Sequence, residues 1–341
     1  MIHFAWAERM GLVFVGSAVG CLLIGQQVIR GLVGLKWIQP TRYGDCPPLE
    51  SYQQTKQGTP TMGGLLVIGV AIAIAAASGG LTHVSGWLLL GAMAGMGAIG
   101  LLDDLLKLHH PSATGLRCAP KLVAALIVGA VIGALLSDPA LGYRQVVVPW
   151  THARVELHWV WIPYTCAVIA GCAHAVNLTD GMDGLAVGCL AVAFGVLGLL
   201  ALAGLPSGVD PLDTGPGVAA IWCAGLAGAC VGFLWFNSFP ASVFLGDVGA
   251  LSLGAALGTL ALLTQTALIL LVIGGIFVAE AISVMLQVAS YRWRNRRRIF
   301  RVAPLHHHFH LGGVSEHKLV VRFWIVGLLL AALGLTAFSR S

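Results

Sequence analysis

Apolar residues fill this chain in long unbroken runs, and its polar residues are gathered into short islands between them. Runs near 11–30, 63–80, 87–106, 120–137, 159–176, 184–204, 216–236, 249–264, 267–290 and 321–338 each approach the roughly 20 residues that a helix needs to cross a bilayer's hydrocarbon core. The pattern predicts an all-α polytopic membrane protein, one domain with about ten transmembrane helices. Only Thr264-Gln-Thr266 parts the eighth run from the ninth, so nine spans is the competing count. Between the fourth and fifth runs, Tyr143 to Trp161 alternates β-branched and polar residues and reads as a short β-hairpin. Trp150, Trp159 and Trp161 read as interface anchors there, and His152 and His158 as solvated residues without chemistry.

Charge then orients the runs. If ten spans alternate, fifteen of the nineteen lysines and arginines fall in turns on one face, leaving Arg9, Arg144, Arg154 and Arg340 opposite. The positive-inside rule makes the first face cytoplasmic and puts both termini and the hairpin outside. Charged residues make up only 10% of the chain against about 25% in soluble domains, which excludes an ordinary soluble protein. The net charge of +5 follows from this loop bias and speaks for membrane orientation rather than nucleic-acid binding. No basic segment precedes the first run and no small-residue cleavage site follows it, so it is expected to be retained as a span. The eight cysteines lack CxxC spacing and lie mostly inside runs, which fits small apolar packers better than disulfides or zinc.

The islands carry the candidate chemistry, and all fall on the predicted cytoplasmic face. An ionisable side chain at the end of a span is costly unless it meets a cavity or a partner. Asn177-Leu-Thr-Asp-Gly-Met-Asp-Gly184 places Asp180 and Asp183 three residues apart, on one face if helical, with Asn177 able to donate to and accept from a ring edge. Asp103 and Asp104 end the third run, opposing the helix dipole, with Lys107 and Lys121 near enough to compensate. Adjacent helical residues diverge, so one acid is free to touch substrate while the other orients a neighbour. Phe244-Leu-Gly-Asp247 offers an aromatic, a close-approach glycine and an acid near a helix start, where a plain cap is the bland alternative. Lys56-Gln-Gly-Thr-Pro-Thr61-Met-Gly-Gly64 sets a lysine beside a Pro/Gly turn suited to an anion, or to a snorkelling lysine on an ordinary turn.

Glu280 and Gln287 are two helical turns apart and predict an inward polar stripe in the ninth span. Arg292 to Arg301 follows, a basic segment of the kind that holds anionic membrane lipids, and then His306, His307 and His308. Consecutive histidines diverge and form no His-Glu-x-x-His pattern, so hydrogen bonding to phosphate or sugar suits them better than joint chelation. Aspartates, lysines and histidines without a nucleophile triad point to a hard divalent cation and phosphate chemistry. The absence of GxxxxGK[ST] argues against a pumping ATPase.

Taken together, Lys56 to Gly64, Leu102-Asp103-Asp104, Asn177 to Ala186, Phe244 to Asp247 and Ala303-Pro-Leu-His-His-His-Phe309 resemble the phospho-N-acetylmuramoyl-pentapeptide transferase family, essentially end to end. That resemblance implies transfer of phospho-MurNAc-pentapeptide from its UDP carrier to undecaprenyl phosphate, with Mg²⁺, in the bacterial cytoplasmic membrane, by a homodimer. It implies Asp247 as main Mg²⁺ ligand with Asp180 as a second, Asp103 and Asp104 as the essential acidic pair, and His307 as a catalytic residue. Lys56, Thr61, Asn177, Asp180, Asp183, Asn237, Phe244 and Gln287 would bind substrate, Phe244 under the uracil. Lys107 and Lys121 would steer phosphates, and His306 and His308 would complete the site. One departure is His310, where the family continues with Glu. The nearest alternative is a sister polyprenyl-phosphate transferase using UDP-N-acetylglucosamine, against which the Pro-Leu-His-His-His-Phe loop speaks. A transporter is the alternative of another class, against which the one-sided clustering of the acids and the lack of an internal repeat speak.

Overall fold

A computed structural model describes residues 2–38, 56–109, 115–138, 141–151, 153–205 and 209–337. Arg42, Cys46, His152 and Arg340 lie outside them. The described helices are α1 (Ile2–Gly34), α2 (Gly64–Ala77), α3 (Val84–His109), α4 (Cys118–Leu135), α5 (Trp161–Thr179), α6 (Leu185–Ala203), α7 (Gly215–Asn237), α8 (Gly246–Leu263), α9 (Ala267–Ile273), α10 (Gly275–Trp293), α11 (Leu305–His310) and α12 (Glu316–Thr336). Among the described residues eight helices are long and apolar enough to cross a membrane, the bent pair α9–α10 passes the same test when taken together, and α2 is a shorter apolar helix. At about 1.5 Å per residue, the 14 residues of α2 reach only ~21 Å.

Burial ranks the helices. In α7 and α8, 89% of the apolar window is buried, against 22% in α4 and 28% in α1 and α12, so α7 and α8 form the centre. Around them, α3 and α5 pack on α8, while α1, α6 and α2 pack on α7. Small residues bring these helices close, as in other membrane bundles. A Cβ on Gly254 of α8 would lie 2.6 Å from the Cα of Ala173 in α5. Helix α7 starts where Thr214 caps it, its side chain accepting from Gly217 N–H, with Pro216 in the first turn.

The hairpin is present, with β1 (Gln145–Val147) antiparallel to β2 (Arg154–Glu156) and Val146 opposite Val155. Trp150 and Trp159 are exposed, but Trp161 is buried and is not an interface anchor. As the first residue of α5 it turns inward, and its indole N–H finds the Gly133 carbonyl at 2.9 Å, the partner a buried tryptophan needs. The run near 267–290 is not one straight span. It bends by 84° between α9 and α10 at Gly274-Gly275, a pair of the kind that admits sharp kinks, and Leu330 of α12 sits against Gly275. Of the described cysteines, Cys21, Cys189, Cys223 and Cys230 are buried, Cys166 and Cys172 half-buried and Cys118 exposed, all unpaired.

Candidate active site

Helix α3 carries Asp103 and Asp104 into the bundle, where both are buried. One turn on, Lys107 Nζ comes back to 2.5 Å from Asp103 and 3.7 Å from Asp104, and reaches Asp247 of α8 at 3.1 Å. From the first turn of α4, Lys121 lies 2.6 Å from Asp247 and 2.8 Å from Asp103. Leu116 N–H donates to Asp103 at 2.5 Å. Asp104 accepts from Val248 N–H at 3.0 Å, one of the N–H groups that a helix start leaves unpaired, so this acid fixes where α8, and hence Asp247, begins. Carboxylate oxygens of Asp103, Asp104 and Asp247 all lie within 4.8 Å of one another. They form a hard-oxygen donor set that could hold a divalent cation, beside two lysines able to meet phosphate. Gly246 makes the fit possible. Its φ is +76°, and a Cβ there would stand 2.8 Å from Asp104 Oδ2 and 2.9 Å from Met62 N.

The 60–64 turn zips onto the segment before α8. Phe244 N–H donates to Pro60 O at 2.9 Å, Gly63 N–H to Phe244 O at 2.8 Å and Gly64 N–H to Leu245 O at 2.9 Å, while Thr61 N–H reaches Trp37 O at 2.9 Å. This places Lys56 Nζ 5.7 Å from the centre of the Phe244 ring, within cation–π range. Lys56 also meets Asp183 at 2.5 Å and Glu316 at 2.7 Å. Glu316, from the first turn of α12, accepts Asp183 N–H at 2.9 Å, and the other Asp183 oxygen accepts Ala241 N–H at 3.0 Å. Asn237 ties the floor together, accepting from Gly184 N–H at 3.1 Å and donating to Val243 O at 2.9 Å.

Asn177 and Asp180, three residues apart at the end of α5, are half-buried beside these groups. Burial, then the charges of Asp247 and Asp104, push the Asp180 carboxyl up to about 8. A Cβ on Gly181 would lie 2.2 Å from His306 Nε2, so glycine lets α11 rest on the Asp180 loop. His306 is buried, its backbone N–H and Nδ1 each 3.2 Å from Glu280 Oε1. His307 lies against it, ring centres 4.2 Å apart, and burial together with His306, His310 and Lys56 pushes it down to about 3. His307 is therefore neutral at physiological pH and able to accept a hydrogen bond. His308 and Gln287 are engaged elsewhere. His308 Nδ1 accepts from Arg301 N–H at 3.1 Å, and Gln287 accepts from Ile299 and Phe300 N–H and donates to Phe300 O, each at 3.0 Å. Both pin the 294–303 loop.

Thus the structure brings Lys56, Lys107, Lys121, Asp103, Asp104, Asp180, Asp183, Phe244, Asp247 and His307 into one neighbourhood. Thr61, Asn237 and His306 brace it. Asp180 is not among the three mutually closest carboxylates. The residue missed from sequence is Glu316, whose signal was an acid opening the last apolar run.

A family model described as Glycosyl transferase family 4 matches residues 86–265, which includes both the acid pair and Asp247. The first signature of the phospho-N-acetylmuramoyl-pentapeptide-transferases matches residues 56–68. A phospho-N-acetylmuramoyl-pentapeptide-transferase of Solidesulfovibrio magneticus is 40% identical over 320 residues, 92% of this chain and 89% of that protein. One from a Geobacter species is 41% identical over 93% of this chain and 89% of its own length, and one from Methylacidiphilum infernorum is 41% identical over 95% and 92%. The chain belongs to the phospho-N-acetylmuramoyl-pentapeptide-transferase family.

Proposed function

We propose that the protein transfers phospho-MurNAc-pentapeptide from UDP-MurNAc-pentapeptide to undecaprenyl phosphate, giving lipid I and UMP. The observation that carries this reading is the junction of the Asp103–Asp104–Asp247 cluster and its two lysines with the Lys56–Phe244 pocket, on segments matched by the family. A phosphate-handling centre and an aromatic seat for a base then lie side by side. The eight long helices, the α9–α10 pair and α2 make ten spans in the bacterial cytoplasmic membrane. The bias of lysine and arginine toward one set of turns supports the cluster on the inner face and both termini outside. By its resemblance to the family the assembly is a homodimer, to be tested by the mass of the particle in detergent.

The donor set fits Mg²⁺: three carboxylates within reach of one ion, with Asp180 held up in part by negative charge close by. Asp247, Asp103 and Asp104 would hold it, with Asp180 facing them. When bound, Mg²⁺ neutralises the diphosphate and stabilises the departing UMP. Phe244 stacks the uracil, and Lys56, fixed by Asp183 and Glu316, bounds that pocket. Lys107 and Lys121 meet phosphate oxygens. A lipid phosphate oxygen attacks the sugar-linked phosphorus, forming the new P–O bond as the bond to UMP breaks. A phosphate monoester has a second pKa near 6, so the acceptor is mostly dianionic at neutral pH and Asp103 need only orient it. A two-step route through an aspartyl-phosphate would reveal itself as exchange of labelled UMP into donor without lipid acceptor.

The test is UMP release by purified protein given UDP-MurNAc-pentapeptide, undecaprenyl phosphate and Mg²⁺, with UDP-N-acetylglucosamine as rival donor. Release should require all three components and fall on the order of 10²–10³-fold in Asp247→Asn, the scale for loss of one electrostatic stabiliser. Release only with the rival donor would move the protein to the sister transferases, and none with either would return the transporter reading.

A further inference from the structure

One polar atom beside the acid cluster takes no part in the reaction described so far. His174 stands in α5, one turn before Asn177. Its Nε2 is buried and meets no hydrogen-bond partner among the described residues. An unsatisfied polar atom of this kind is costly, and it asks for a purpose.

Helix register shows what the ring stands beside. Trp161 N–H reaches Gly133 O at 2.9 Å and the Thr165 hydroxyl reaches Gly129 O at 3.0 Å, so α4 and α5 run antiparallel. A Cβ on Gly129 would lie 2.6 Å from the Cα of Cys166. This crossing pairs residue 166 with residue 129, and equal steps along the two helices bring His174 level with Lys121. The charges of Lys121 and Asp247 both act on the ring.

Lys121 is committed to the acids. Its Nζ lies 2.6 Å from Asp247 and 2.8 Å from Asp103. Those carboxylates belong to the donor set for a divalent cation, and an ammonium on the same oxygens repels such a cation. Lys107 has less room to leave, since it follows Asp103 and Asp104 by one turn of the same helix and meets all three acids. Lys121 reaches in from another helix, and turning away requires an acceptor at its own level. His174 Nε2 is such an acceptor when the ring proton is on Nδ1. An ammonium has three donors, so one bond to His174 leaves two for phosphate.

We propose that His174 is a positioning residue for Lys121. Its Nε2 takes the Lys121 ammonium when a divalent cation binds the acids, and this turns the lysine from their counter-ion into a phosphate ligand. The role rests on the reading of Asp103, Asp104 and Asp247 as a metal-binding set.

The test is Mn²⁺ binding to the detergent-purified full chain, without donor or acceptor, followed by the electron paramagnetic resonance signal of the free ion. H174L fills the place of the ring but offers no acceptor, so Lys121 stays on the carboxylates and Mn²⁺ affinity should fall about tenfold, a coupling usual for neighbouring groups. H174Q carries a carbonyl oxygen to about the position of Nε2 and should recover most of the loss. In K121Q the competing ammonium is gone, and adding H174L should then change Mn²⁺ affinity by no more than about twofold, the range of independent sites. An equal loss with and without Lys121 would make His174 a packing residue and overturn the proposal. So would wild-type affinity in H174L, or no recovery in H174Q. Failure of the wild type to bind Mn²⁺, or binding untouched by Asp247→Asn, would remove the metal reading itself and the role of His174 with it.

Discussion

Lys56 meets Asp183, Glu316 and the Phe244 ring, and of these only Glu316 was not singled out in the sequence motifs. Asp183 and Glu316 hold its ammonium while the Phe244 ring lies 5.7 Å away. Glu316 binds both Lys56 and the Asp183 backbone, so it positions the uracil end of the site rather than the reacting phosphorus. Glu316→Gln should therefore raise donor KM about tenfold, roughly 1.4 kcal/mol, and leave kcat within about twofold. Glu316→Asp should restore part of the loss, and an equal fall in kcat would assign Glu316 to the chemistry instead. This acid was hidden because it stands in the first turn of α12, where a carboxylate suits the helix dipole without further purpose. Its partner is 260 residues away. The aspartates and histidines were legible for the opposite reason, being charges at span ends that local structure does not need. Asp180 gives a second test at this scale. Its folded carboxyl lies near 8, above the ordinary 3.8, so the stability it permits is full below pH 3.8 and is lost as pH rises through about 8. In metal-free detergent solution Asp180→Asn should match the wild type near pH 4 and melt higher above pH 8, and a gap that shrinks with rising pH would contradict the assignment.

At the scale of elements, the start of α8 is where three segments converge. Asp104 accepts Val248 N–H, the 60–64 turn zips onto Phe244 and Leu245, and Gly246 fills the gap with a positive φ. Gly246→Ala should cost at least the roughly 1–2 kcal/mol of a left-handed alanine, plus the collision with Asp104 and Met62. Turnover should fall on the order of tenfold, since the shift acts on Asp247 directly. Gly142→Ala is the control, with φ +67° and nothing within 4 Å of the added carbon: it should melt lower by the backbone cost alone and keep full turnover. Each of the eight long apolar helices among the described residues overlaps one of the runs read from hydropathy, because length and apolarity are set locally. Hydropathy did not locate the bend at Gly274, since a glycine pair in an apolar run is compatible with straight and broken helices alike, and packing against α12 chooses between them. The six-residue α11 was read as a loop of three histidines. A helix that short takes its stability from tertiary contacts, here Glu280 and Gly181.

For the whole molecule, burial and charge divide the bundle in two directions. Across the bundle, α7 and α8 form the centre and α1, α4 and α12 the exposed rim. Along the membrane normal, the acid cluster, the Lys56 pocket and the arginine loop share one end, and the hairpin with exposed Trp159 shares the other. The positive-inside rule predicts that the first end faces the cytoplasm, the orientation proposed above. Cys118, exposed at the start of α4, reports on that end, and a cysteine introduced by Trp159→Cys reports on the hairpin. With Cys46 replaced by serine, a membrane-impermeant maleimide added to spheroplasts should label the hairpin position and spare Cys118. Inverted membrane vesicles should show the reverse. Labelling of Cys118 in spheroplasts would turn the whole bundle over, put the termini inside, and separate the site from a nucleotide donor made in the cytoplasm, so this pair of thiols tests the topology and the proposed substrate together.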